Sequence, residues 1–79
     1  MLEMKKFDVM FKTTNDVKEF VSIVNQCNFD VDLISGKYVV NAKSIMGIFS
    51  LDLTKRIILQ ADTDDDAGFF EKIKKYIVS

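Results

Sequence analysis

The chain has no histidine, and that one omission removes much familiar chemistry. No Ser/His/Asp or Cys/His nucleophilic set can be assembled without an imidazole. A Cys/His zinc site is excluded as well, because Cys27 is the sole thiol. The three glycines are scattered, so no loop cradles a phosphate. Asp62-Thr63-Asp64-Asp65-Asp66-Ala67-Gly68 places acids at the first, third and fifth positions of a calcium loop. Ala67 stands where that loop needs glycine, and Ile73 where it needs a bidentate Glu. The run therefore reads as the capped start of a helix, with no metal site and no cofactor expected. No spacing singles out a carboxylate pair, and no enzyme is expected. What remains is one hydroxyl and one apolar surface. Ser44 stands where a helix N-cap belongs, its hydroxyl able to accept from a backbone N–H one turn on. Ile45, Met46, Ile48, Phe49 and Leu51 follow. A helix of about two turns buries only one side, so part of this set is expected in water. Exposed apolar groups beside a capped helix start mark a docking surface.

Several elements must hold that surface in place. Lys6 to Lys12 alternates, with Phe7, Val9 and Phe11 pointing one way, as a half-buried strand does. Thr13-Thr14-Asn15-Asp16 is a cluster of helix-capping residues. A helix to about Cys27 follows, with Val17, Phe20, Val21 and Val24 on one stripe. Phe29 to Leu33 alternates again, Ser35-Gly36-Lys37 is a turn signal, and Tyr38 to Asn41 pairs back. The short helix spans about residues 44–51. Lys55 to Ala61 makes a fourth strand, with Ile57 and Leu59 inward and Ile58 on the less buried side or under an end of a helix. The last helix carries Ala67, Phe70, Ile73 and Ile77 on one face, with Phe69 and Tyr76 beside it. Acids at its start and lysines at its end suit the helix dipole. The order β-α-β-β-α-β-α is that of an α+β, two-layer open-faced β-sandwich, in which half-apolar helices cover one face of a sheet.

Length and charge narrow the partners. Seventy-nine residues make a single domain over 1–79. A core this small leaves a stability margin of about 3–5 kcal/mol. Cys27 has no disulfide mate, fits a reducing cytosol, and is expected as a small buried group on the first helix. The net charge of −1 argues against nucleic acid, which needs a basic face. No apolar run approaches the roughly 20 residues of a membrane span. Met1 to Lys6 lacks the apolar core of a signal peptide, so a cytoplasmic location away from the membrane is expected.

The run Asn41-x-Lys43-Ser44-Ile45-Met46-Gly47-Ile48-x-Ser50-Leu51 resembles the segment around the regulatory serine of the HPr family, the small phosphocarriers of the bacterial phosphotransferase system. The order and length of the elements match that family over nearly the whole chain. The resemblance implies a four-stranded antiparallel sheet of order 1-4-2-3 covered on one face by three helices. The family carries phosphoryl on a histidine at the start of the first helix, within Gly-x-His-Ala-Arg-Pro. Lys12-Thr13-Thr14-Asn15-Asp16-Val17 occupies that region here and lacks the glycine, histidine, arginine and proline. A phosphate ester on Thr13 or Thr14 is not readily passed on, and Asp16 sets a negative charge where the anion would sit. Phosphocarrier activity is therefore expected to be lost. In Gram-positive relatives the serine matching Ser44 is phosphorylated by a dedicated kinase, and Lys43-Ser44-Ile45-Met46-Gly47 is intact. The resemblance thus implies a regulatory phosphorylation site at Ser44 and a partner-binding patch of Lys43, Ile45, Met46, Gly47 and Phe49. Catabolite-repression HPr-like proteins, which lack the histidine but keep the serine, are the precedent for a regulatory role. The partners so implied are an HPr serine kinase or a transcriptional regulator. Two alternatives stand: an active phosphotransferase component with an unconventional acceptor, and a self-associating domain, including a homodimer that exchanges its first strand.

Overall fold

The structure, a computed structural model, describes residues 4–63 and 66–78. Strand β1 (Met4–Val9) is followed by helix α1 (Thr14–Asn25), strands β2 (Val31–Ser35) and β3 (Tyr38–Asn41), and the short helix α2 (Ile45–Phe49). Strand β4 (Ile57–Asp62) and helix α3 (Asp66–Ile73) complete the order, and a 3₁₀ turn over Lys74–Tyr76 ends it. The sheet runs β1-β4-β2-β3 with every neighbouring pair antiparallel. This is the expected two-layer α+β sandwich and the expected strand order.

Period-two patterning decides which face is buried. Val9 and Phe7 of β1 stand opposite Ile57 and Leu59 of β4, and Leu33 of β2 stands opposite Leu59 on one side and Val40 on the other. Val9, Leu33, Ile57 and Leu59 are fully buried beneath Val17, Phe20 and Val24 of α1, Ile48 of α2 and Ile73 of α3. The other face carries Asp8, Asp32 and Gln60, with Ile58 at 41% exposure among them, as its position in the alternation predicts.

The element boundaries shift from the sequence expectation in informative ways. β1 stops at Val9, yet Phe11 remains buried. An aromatic cluster holds it there instead of a ladder: Phe11, Phe20 and Tyr76 lie with ring centroids 5.0–5.6 Å apart. β2 begins two residues late and runs to Ser35, while Phe29 leaves the strand to meet Phe69 edge-on. α2 is shorter than 44–51, with Leu51 N–H continuing the turn onto Ile48 O at 3.0 Å. The buried stripe of α3 is Phe69, Ile73 and Tyr76, and Phe70 lies outward beside Phe7. The helix tightens to 3₁₀ at Lys74, so Ile77 leaves it and bridges to Val9. Cys27 lies just past α1, half-buried, with its Sγ donating to Ile23 O at 3.7 Å. The acidic run considered as a calcium loop includes Asp64 and Asp65, which lie outside the described residues; among the described ones no cluster is arranged for a metal. Among them too, no helix is long and apolar enough to cross a membrane.

Candidate functional site

Ser44 caps α2 as its residue type predicts. Its backbone is extended, and its Oγ accepts the N–H of Gly47 at 3.2 Å. The chain approaches through an Asx turn: Asn41 Oδ1 accepts Lys43 N–H at 2.8 Å and Asn41 O accepts Ser44 N–H at 2.9 Å. Ser50 closes the other end, its hydroxyl donating to Gly47 O at 2.5 Å. Gly47 lies on the side of α2 that faces Val40 of β3. A Cβ there would stand 3.3 Å from Ser44 Oγ and 3.4 Å from Val40 Cβ, so absence of a side chain lets helix and strand touch.

The apolar residues of α2 divide as a short helix must. Ile48 is fully buried and Leu51 nearly so. Ile45 is half-buried against the core. Met46 is 77% exposed and Phe49 38% exposed. Ser44 is exposed between Lys43 and Ile45. Met46, Phe49 and Ser44 are thus each exposed to solvent on or beside a helix anchored by Ile48. Lys43 joins them only through its backbone: its Nζ donates to Cys27 O at 3.2 Å, which directs the charge toward the end of α1. Asn25, which sequence patterning leaves on the wet side of α1, braces the same loop. Its side-chain amide donates to Val21 O at 2.9 Å and to Lys43 O at 3.3 Å. The partner is 18 residues away, and no local signal marks that contact.

The start of α1 is a closed structure made by the chain itself. Thr13 Oγ1 accepts Asp16 N–H at 3.1 Å, and Asp16 Oδ2 accepts Lys12 N–H at 3.0 Å. The two side chains satisfy donors in the manner of a capping box. A carboxylate therefore occupies the anion-favouring end of the helix.

One turn further along α1, Glu19 receives three donors. Asn15 Nδ2 reaches Oε1 at 3.0 Å, while Lys75 Nζ and Tyr76 OH reach Oε2 at 2.6 and 3.4 Å. The hydrogen bond from Lys75 holds the Glu19 carboxyl below its ordinary range, and the same bond raises Lys75. Burial pushes the Tyr76 phenol up. This group of side chains ties α1 to the C-terminal turn and lies outside the α2 surface.

Comparison with known proteins places these features in context. The family described as "PTS HPr component phosphorylation site" matches residues 14–79. The fold is similar to that of HPr-C-His from Thermoanaerobacter tengcongensis, with a TM-score of 0.74 and 25% identity, covering 96% of this chain and 91% of that one. It is likewise similar to a phosphocarrier protein HPr from Bacillus anthracis str. Ames, with a TM-score of 0.71 and 26% identity, covering 98% of each chain. No curated protein matches the sequence.

Proposed function

The chain belongs to the HPr family, and from that premise we propose that it works as a cytoplasmic protein-binding module without phosphocarrier activity, docking partners through the 43–51 surface. The observation that carries this reading is the exposure of Met46 at 77% on a helix whose Ile48 is fully buried. A flexible thioether beside a partly exposed Phe49 is the kind of group that anchors an interface. The capped start of α1 supports the loss of the carrier function. With no histidine in the chain and Asp16 holding the helix start, neither the acceptor nor the place for its anion remains. The module acts by contact, without catalysis.

Ser44 is the switch in this proposal. It is exposed, so a kinase reaches it without unfolding the domain. A phosphate there adds nearly two negative charges beside the Met46 patch, where basic groups of a regulator meet them. The partner in this proposal is an HPr serine kinase or a transcriptional regulator.

The experiment has three arms. Incubation with an HPr serine kinase and ATP, followed by intact-mass measurement and peptide mapping, is expected to show one phosphate on Ser44; an unmodified mass removes the switch. Incubation with Enzyme I and phosphoenolpyruvate is expected to leave no acid-labile phosphate. Labelling would favour the unconventional carrier instead. For docking, Met46→Asp is expected to lose a partner that the wild type captures from the source cytoplasm. Retention of every partner by the variant would remove the patch.

A further inference from the structure

The two edges of the sheet are finished differently. Along β1 the C-terminal residues cover the edge: Val9 bridges Ile77, Met10 N–H donates to Tyr76 O at 3.0 Å, and Val78 N–H donates to Asp8 O at 2.9 Å. β1 also carries Lys5, Lys6 and Asp8. β3 forms the opposite edge. Its four residues hold no charge and no proline, and its register with β2 is unbroken by a bulge. Natural sheets blunt an edge with such devices or by keeping the edge strand short, and β3, at four residues, uses only the last. Tyr38 and Val39 are 70% and 62% exposed. Ala42 N–H donates to Val31 O at 2.8 Å, so alternation along the ladder faces Tyr38 and Val40 toward β2. The N–H and C=O of Val39 and the N–H of Asn41 are thereby turned to the open side.

A cleft of about 420 Å³ adjoins the Tyr38 end of this edge, with Ser35, Lys37, Tyr38, Ser50, Asp52 and Lys55 on its walls. Its one carboxylate is already engaged. Asp52 Oδ1 accepts the hydroxyl and N–H of Thr54 at 2.6 and 3.1 Å, and Lys55 lies 3.9 Å from Oδ2. Lys37 makes no ion pair among the described residues. The free charge at this end of the edge is therefore positive.

We infer that β3 is a strand-addition site whose occupant is an extended segment of another protein, β-branched beside Val39 and acidic at its C-terminal end. An antiparallel guest continues the pattern of the whole sheet and delivers its C-terminal residues to Lys37 and the cleft. A second copy of the chain fits less well. Antiparallel pairing of β3 with itself offers Lys37 no acid at either end, because residues 37–43 carry none. This surface meets the 43–51 surface at Ser50 but does not include Met46.

The test is a titration of the ¹⁵N-labelled full chain with the synthetic peptide acetyl-Thr-Val-Thr-Val-Glu-Glu-amide. Amide exchange at Val39 and Asn41 is expected to slow by about tenfold, while Tyr38 and Val40, already bonded to β2, change by less than about twofold. A peptide ending in two lysines is expected to bind about tenfold more weakly. Val39→Pro removes the outward N–H and is expected to abolish protection at Asn41. Lys37→Glu leaves the strand intact and is expected to reverse the preference between the two peptides. Equal affinity for both peptides, protection confined to another element, or no binding at millimolar peptide overturns the proposal. So does a dimer by sedimentation in which Val39 is protected without peptide, which would make a second copy the occupant.

Discussion

Ser44 and Glu19 are exposed polar residues that do structural work, and each leads to a measurable expectation. Ser44→Ala removes the acceptor for Gly47 N–H. Losing an N-cap side chain costs about 1 kcal/mol, read as a lower urea midpoint, whereas Ser44→Asp keeps an acceptor and is expected to retain most of it. Glu19 has its carboxyl held down by Lys75, so its contribution has a sign in pH. A group whose folded value is depressed stabilises above the ordinary value, 4.5 here. It loses that contribution as pH falls through the depressed one. The urea midpoint of the wild type is therefore expected to fall more steeply below about pH 4.5 than that of Glu19→Gln. High salt should shrink the difference, because both side chains are largely in water. At the alkaline end the sign reverses. Tyr76 is raised above 10.0 and Lys75 above 10.5, and stability they supply is lost as pH rises past those values.

At the scale of elements, α2 shows why a glycine in a helix is sometimes the better residue. Ala is about 1 kcal/mol more favourable than Gly in a helix interior. A methyl at Gly47, however, would stand 3.3 Å from Ser44 Oγ, closer than an ordinary contact, so the capping hydroxyl would have to give way. Gly47→Ala is therefore expected to bring no gain in stability by urea denaturation, in contrast to a Gly→Ala change in an open helix. The elements also show how far local pattern carries. β4 was legible because Ile57, Leu59 and Ala61 stand at alternate positions and every one of them is buried, although Ile58 between the first two is apolar. The face of α3 was not. Phe69 and Phe70 are adjacent and alike, and what selects Phe69 is its contact with Phe29, 40 positions earlier in the chain. The tightening at Lys74 that frees Ile77 for Val9 is likewise a tertiary choice. For the candidate site, the cap at Ser44 could be foreseen from its type and place. The inward turn of Lys43 onto Cys27 O could not, since nothing local links the two.

At the scale of the whole molecule, one small core serves every element, so core and surface positions on the same short helix should respond oppositely. Ile48 is sealed and Met46 is not. Ile48→Ala is expected to cost about 2–5 kcal/mol, comparable with the total margin of a domain this size, and to abolish the cooperative transition near room temperature by circular dichroism. Met46→Asp is expected to lie within about 0.5 kcal/mol of wild type, which makes it a clean probe of docking.

The C-terminal residues beside β1 carry a mechanical consequence. Val78 N–H donates to Asp8 O and Met10 N–H to Tyr76 O, so this segment runs antiparallel to β1, with Met4 and Val78 as the described ends of the two. Pulled apart by handles at those two ends, the bonds bear load one after another in a zipper instead of together in shear. The domain resists heat and solvent with its full core, yet tension along that axis loads these few bonds first.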